Sequence, residues 1–422
     1  MTALAETQPR LSGLWRHAEF RRLWGAQTIS VFGDQVTMLA LPLAAVLVLD
    51  ASPTAMGLLT AAGWLPHLLL SLGAGVWIDE RRGRRDLLAG ADVLRAAALL
   101  SIPIAFGFGA LSMAQLYVVT LLVGAFTVVF DLAYSSYFVL VVPRESIVEA
   151  NSKLMTSRSA SYVAGPFLAG TLVQLLTAPV AILVDAVSFV ASASLITRMT
   201  TRVPEPEHGE REPVQARLAT GARYLFRHPV LRPSLACVST VNFFNFVFWG
   251  VLVVFLAREL DFSPGAIGAV FSVGAVGALI GAVLAPRVGA RIGYGRSVIV
   301  GAFVFPAPLV LFALAGGPRP VVYALLITGE FLSSVGVMLF DVNLNSIQAL
   351  LTPHRLRARV AGVHRTINYG TRPLGAVIGG VLGDVIGLRP TLLIGALGAT
   401  LAVVPAFLSP LRTMRELPEE AH

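Results

Sequence analysis

Twelve mostly apolar stretches, each about as long as a bilayer is thick, constrain this chain more than any other feature. They lie at 23–49, 54–78, 86–108, 113–141, 152–176, 178–199, 234–257, 264–285, 297–315, 320–350, 360–386 and 389–410. A hydrocarbon core about 30 Å thick is crossed by roughly 20 apolar residues in a helix. Backbone polar groups in lipid must be satisfied internally, so runs of this length read as helices. Only 13% of residues are charged and mean hydropathy is +0.75, whereas soluble domains carry about 25% charged residues. The expectation is an all-α membrane protein of twelve transmembrane helices.

Basic residues give the orientation. The net charge of +8 comes from 31 arginines and Lys153 against 24 acids. With the N-terminus inside, 25 of the 32 bases fall in cytoplasmic segments or, for Lys153 and Arg198, at the cytoplasmic ends of spans. Arg258, Arg319 and Arg389 fall outside, and Arg95, Arg158, Arg365 and Arg372 fall within spans. The positive-inside rule then predicts cytoplasmic N- and C-termini in a bacterial inner membrane. Bases placed between apolar runs argue against a nucleic-acid partner. The first run is too long for a cleaved signal core and is expected to stay in the membrane. The lone cysteine, Cys237, excludes an internal disulfide or cysteine-based metal site.

The chain repeats itself. A gap-free shift of 210 residues aligns Phe130-Asp131 with Phe340-Asp341, Ser136 with Ser346 and Pro143 with Pro353. It also aligns Thr156 with Thr366, Gly165 with Gly375 and Gly170 with Gly380. Parallel repeats imply a pseudo-twofold axis along the membrane normal, with a site where the halves meet. The expected division is an N-terminal segment 1–22, a six-helix bundle 23–199, a linker 200–233, a second bundle 234–410 and a tail 411–422. The linker carries Arg217, Arg223 and Arg227 around Leu218, Tyr224, Leu225 and Phe226. That pattern predicts a short amphipathic helix at the membrane surface.

Several motifs sit at fixed places in this frame. Gly33-Asp34 is followed by Ala40-Leu41-Pro42 in the first run. Gly75-Val-Trp-Ile-Asp79 precedes Arg81, Arg82, Gly83, Arg84 and Arg85. Asp92-Val-Leu-Arg95 lies in the third run, and Pro143 to Asn151 leads to Ser161, Gly165-Pro166 and Gly170 in the fifth. Together these resemble the major facilitator superfamily over essentially the whole chain. Within it they resemble the drug:proton antiporter-3 group, which includes macrolide exporters and the enterobactin exporter. The resemblance implies two pseudo-symmetric six-helix bundles. It identifies the loop after the second run with motif A, a cytoplasmic latch in which Asp79 faces the start of the eleventh helix. Glu80 stands where a base is usual and Gly83 comes one position late. The second-half counterpart, Gly281 to Ala285 with Arg287, Arg291 and Arg296, lacks the acid. Ser161, Gly165, Pro166 and Gly170 resemble motif C, which marks antiporters.

Ionisable residues inside spans cost about 2.5–3.5 kcal/mol on insertion scales, so they point to function. Gln27, Ser30, Asp34 and Thr37 share one face of the first helix at 100° per residue. Glu330, Ser334, Asp341, Asn345 and Gln348 share one face of the tenth, and the repeat places Asp131 on the matching face of the fourth. Ser239, Asn242, Asn245 and Trp249 add a polar face on the seventh, near Phe243 and Phe246. The resemblance implies that these four helices line a central cavity. Asp34, Glu330, Asp131 and Asp341 are the candidate proton carriers. Asp131 is expected to pair with Arg158 or stand free, Asp341 with Arg365 or Arg372, and Asp92 with Arg95. Asp185, His67 and His364 read as structural.

No phosphate-binding loop, zinc signature, nucleophile elbow or dinucleotide fingerprint occurs, so neither an enzyme nor a cofactor or metal is expected. The expected function is export of a small amphipathic molecule (an antibiotic, a toxic compound or a siderophore-like metabolite) by proton antiport, in a monomer. Proton-coupled uptake, or a dedicated exporter of one endogenous metabolite, is the alternative.

Overall fold

A computed structural model describes residues 13–70, 83–201 and 214–417, with side chains from 218 onward in the last segment. The helices are α1 (Ala18–Leu47), α2 (Pro53–Leu70), α3 (Arg84–Gly107), α4 (Met113–Val141), α5 (Ile147–Leu176) and α6 (Ala178–Thr197). After a linker helix, Val214–Arg227, come α7 (Leu231–Val254), α8 (Pro264–Ile292), α9 (Tyr294–Val304), α10 (Arg319–Leu351), α11 (His354–Ile386) and α12 (Leu388–Leu401). Ten of the described helices are long and apolar enough to cross a membrane. In that set α9 runs on to Ala313 and α12 to Phe407. Two more, α2 and α11, are the repeat counterparts of α8 and α5, which belong to that set.

Packing follows the repeat. In the first half α1 packs on α5 and α6, α3 on α4 and α6, and α2 on α4. In the second half α7 packs on α11 and α12, α9 on α10 and α12, and α8 on α10. The halves meet along two related seams, α2 with α11 and α5 with α8. Backbone conformation repeats as well. Gly83 and Gly293, the N-caps of α3 and α9, have φ of 94° and 98°, where glycine avoids the Cβ clash.

Helix ends differ from the apolar runs in a consistent way. α1 starts at Ala18 rather than 23, α5 at Ile147 rather than 152, and α11 at His354 rather than 360; α8 ends at Ile292 rather than 285. Each extra turn is amphipathic or basic and lies beyond the hydrophobic stretch, where hydropathy ends but backbone hydrogen bonding continues. Arg22, left outside the first run, donates to the Arg198 carbonyl at 2.6 Å. The ninth run is broken after Val304 by a 3-10 turn, Ala307–Leu309, beside Pro306 and Pro308. Proline removes a helical donor and forces such breaks.

The two ends of the bundle are built differently. At the end opposite the linker, a single apolar core joins both halves, with Val46, Ile182, Phe255, Phe262 and Ile267 among its members. At the linker end the cores are separate, one within the first half around Phe20, Leu88 and Tyr137, the other within the second around Cys237, Val298 and Leu344.

Small residues draw the seams together, as expected where lipid offers no hydrophobic drive between helices. A Cβ on Gly170 would lie 2.4 Å from the Pro264 carbonyl oxygen, and one on Gly380 2.6 Å from that of Pro53. Just beyond these glycines sit two side-chain caps, one repeat apart. Gln174 at the end of α5 accepts from the Gly265 N–H at 3.1 Å, at the start of α8. Asp384 at the end of α11 accepts from the Thr54 N–H at 2.9 Å, at the start of α2. Arg258, in a π-turn closing α7, reaches Asp50 of the first half at 2.5 Å. Glu259 from the same turn pairs with Arg389 at 2.5 Å.

Candidate transport site

A cavity of about 470 Å³ opens at the linker end of the second half. Asp341, Asn345 and Gln348 of α10 line one wall; His364, Arg365, Asn368, Tyr369 and Arg372 of α11 line another. Leu225 of the linker helix reaches its mouth. That helix docks on the second half: Tyr224 donates to the Leu351 carbonyl at 2.6 Å, and Leu225 packs with Leu231, Leu235 and Val360. Across from this wall, Asp131 of α4 is exposed and lies within electrostatic range of Arg365, Arg158 and Arg95. Asp34 of α1 is exposed as well, in the field of Arg95, Asp131 and Arg158.

Behind this face the first half holds a buried charge network. Arg95 is 2% exposed and contacts the fully buried Asp92 one turn earlier on α3. Its guanidinium lies over Phe130 at 4.5 Å and Phe189 at 4.1 Å. The Ser192 hydroxyl lies on the other side of Asp92, close enough to interact with its carboxylate. Asp185 of α6, 1% exposed, accepts from Thr37 of α1 and from Ser188 at 3.0 Å. Gly33 permits this approach, since a Cβ there would come within 2.1 Å of the Ser188 hydroxyl.

Several expected positions move. Of the α1 stripe only Asp34 is exposed; Ser30 and Gln27 are buried, and Thr37 turns toward α6 to meet Asp185. Much of the polarity of this stripe is spent inside the first half. Glu330 is 8% exposed and faces Gly274 of α8, in the α8–α10 contact. Ser334, one turn on, is partly buried. Trp249 packs on Phe271 at 5.4 Å against the joined apolar core, so it belongs to the sealed end rather than to the cavity wall. Asn242 donates to its own helix at Val238, and the Asn245 carbonyl oxygen is buried without a donor.

The Asp92–Arg95 pair is present. The other expected ion pairs are not formed among the described residues: Arg158 influences Asp131 without contact, and Arg372 lies over the rings of Trp64, Tyr369 and Phe246 instead of on Asp341. His67 joins that aromatic group, 5.3 Å from Trp64.

The motif C positions divide between two contacts. Ser161 donates to the Val31 carbonyl at 2.8 Å and Gly165 faces Gln35, both on α1. Pro166 and Gly170 face Gly268 and Pro264 of α8, in the seam between the halves. Of the motif A positions, Gly75, Asp79, Arg81 and Arg82 lie outside the described residues. Gly83 caps α3, and Arg85 donates to the Met199 carbonyl at 2.9 Å while pairing with Asp86. Arg84 leads the same turn.

Comparison with known proteins agrees with this architecture. The chain is 28% identical over 413 residues to the multidrug efflux pump Tap of Mycolicibacterium fortuitum, covering 90% of this chain and 93% of that one. It is 24% identical over 384 residues to YfiS of Bacillus subtilis, an uncharacterized MFS-type transporter, covering 88% of each. Among solved structures, a bacterial homologue of the iron transporter ferroportin matches in its inward-facing state with a TM-score of 0.75 at 20% identity, over 93% of this chain and 98% of that one. A bacterial homologue of ferroportin in an outward-facing state matches with a TM-score of 0.55 at 20% identity, over 92% and 98%. The nucleoside transporter NupG matches at 0.73 with 13% identity, over 92% and 97%. The model of the transmembrane secretion effector family matches residues 11–422. This chain therefore belongs to the transmembrane secretion effectors, multi-pass membrane transporters of the major facilitator superfamily.

Proposed function

We propose that this protein exports a small amphipathic molecule across the bacterial inner membrane by proton antiport with alternating access. The observation that carries the reading is the difference between the two ends: one joined core at one end, two separate cores and a charged cavity at the other. The positive-inside rule puts the linker end and both termini in the cytoplasm. The cavity then opens where an exporter loads. The name carried by the Tap relatives supports the same direction.

The proton reading rests on the acids. Asp34, Asp131 and Asp341 are exposed between the halves, and Glu330 is buried with no basic partner among the described residues. A carboxylate in a partly dry site holds a proton more tightly than one in water. Such a group takes a proton from one side and releases it to the other as access alternates. Asp34 is the leading carrier because it is exposed and lies in the field of both Asp131 and the buried Asp92–Arg95 pair. The loop bearing Asp79, Arg81 and Arg82 is the proposed latch of the cytoplasmic end, closing on the start of α11. The partners are then the substrate, protons and the bilayer, and one chain suffices because its own halves enclose the site.

Expression in an efflux-deficient host tests the reading, with growth measured across macrolides, tetracyclines, lipophilic cations and siderophore-like chelators. Resistance conferred by the wild type and lost in a well-expressed Asp34→Asn variant is expected. Accumulation rather than resistance for the same compounds would replace export with uptake.

A further inference from the structure

Arg372 of α11 is held in an unusual way. Its guanidinium carbon lies 4.1 Å from the centre of the Trp64 ring, 4.9 Å from Tyr369 and 5.4 Å from Phe246. The rings also pack on one another, with Trp64 5.5 Å from Phe246 and 5.7 Å from Tyr369. We propose that Trp64, Tyr369 and Phe246 form a binding box for a delocalised organic cation, and that Arg372 is its resident occupant, displaced when a cationic substrate enters.

The contrast with Arg95 carries the argument. Both arginines lie over aromatic faces. Arg95 is 2% exposed, pairs with Asp92 and has no route out of the first half. Arg372 lines the open cavity, has no carboxylate within ion-pair distance among the described residues, and leaves its Nε buried without an acceptor. Ring faces are its only contacts of this kind, with Asp341 acting from longer range, and they hold any weakly hydrated cation by the same attraction. A second seat is at hand: Asp341 lines the same cavity, within electrostatic range of Arg372. Displacement therefore moves Arg372 toward a carboxylate rather than stranding its charge.

The box is also shared between the halves. Trp64 comes from α2 of the first, and Phe246 and Tyr369 from α7 and α11 of the second. Its occupant bridges the α2–α11 seam, so filling it with substrate replaces one bridge by another. That the displacing cation is a transported molecule rests on the export reading; the box itself does not.

Binding to purified full-length protein tests this directly. The probes are tetraphenylphosphonium and its size-matched anion tetraphenylborate, titrated calorimetrically and corrected for empty micelles. The wild type is expected to prefer the phosphonium. Arg372→Met removes the internal competitor without a cavity and is expected to bind phosphonium about tenfold more tightly; Trp64→Leu is expected to weaken it about tenfold in either background. Tighter binding of the borate by wild type, unchanged affinity in Trp64→Leu, or no gain in Arg372→Met would each overturn the box. The wild-type comparison stands even if a variant does not fold. Failure to bind phosphonium in a chain that still confers resistance removes the box and leaves export. Phosphonium binding without resistance to any compound removes export and leaves the box.

Discussion

The two halves share a fold and divide the chemistry. One repeat on from the first-half network, Asp34 becomes Phe244, Asp92 becomes Ala302, Arg95 becomes Phe305 and Asp185 becomes Gly395. Where Ser188 and Gly33 let α6 and α1 meet through Asp185, the second half meets through rings: a Cβ on Gly398 would fall 2.2 Å from Phe244. Helix placement thus survives complete replacement of ionic by aromatic packing. The charges of the first half are not needed to build a six-helix bundle, which is why they stand out as machinery. Among the acids of the first-half spans only Asp131 has an acidic counterpart one repeat on, Asp341, and both are exposed.

The sharpest way to break this comparison is to give the first half the second half's residues. Arg95→Met alone leaves Asp92 buried and unpaired, which costs about 3–5 kcal/mol. Thermal unfolding in detergent should show a large loss. The double variant Asp92→Ala with Arg95→Phe copies Ala302 and Phe305 and should recover most of that stability. Transport should stay lost in the double variant. Recovery of transport with stability would make the network structural.

Next in size are the paired caps of the sealed end. Asp384 caps α2 with a charged acceptor, and Gln174 caps α8 with a neutral one. Hydrogen bonds to a charged group contribute about 1.5–3 kcal/mol, against about 1 for neutral ones. Asp384→Ala should therefore shift the population toward opening at that end more than Gln174→Ala does. Distances between spin labels on the α1–α2 and α7–α8 turns read the shift. Equal shifts would show that charge at the cap is irrelevant.

Thr177 and Gly387 open α6 and α12 with φ of 78° and 92°. That backbone region is nearly reserved for glycine, and a β-branched residue there is strained. Thr177→Gly, copying the second half, should stabilise by about 1 kcal/mol in chemical unfolding.

The smallest effect concerns helix starts. The N-cap of α1, His17, makes no side-chain cap. At the start of α7 the Val230 and Leu231 N–H groups donate to Nδ1 of His228, at 3.2 and 3.3 Å. Burial lowers the His228 pKa from its ordinary 6.5. The neutral ring is the one that accepts. Its stabilisation is complete above pH 6.5 and is lost as pH falls through the lower folded value. Acid should destabilise the wild type by about 1 kcal/mol more than His228→Ala over that window.

Much of this was legible in the sequence because hydropathy and repetition report on the whole membrane environment. The apolar runs overlap each of α1 to α12, and the 210-residue shift anticipated the Gly170 and Gly380 seams. Asp92 and Arg95, three apart on one helix, announced their pairing. What stayed hidden was direction. Trp249 and Glu330 sit on polar stripes, yet the helices are rotated so that one faces the apolar seal and the other α8. Periodicity ranks residues around a helix axis; only the neighbouring helices decide which way that axis is turned. Trp64 and Tyr369, 305 residues apart in the chain and meeting only across the seam, gave no local signal. Gln174 and Asp384 did carry one, since the repeat pairs them four residues beyond the seam glycines.

The central claim is that the first half's exposed acid couples protons to export. Everted membrane vesicles carrying the wild type or Asp34→Asn, energised to an acidic interior, test it with a compound to which the wild type confers resistance. The account predicts gradient-dependent uptake into wild-type vesicles that collapses with an uncoupler and is absent from the variant. Full gradient-driven uptake by well-expressed Asp34→Asn would contradict it.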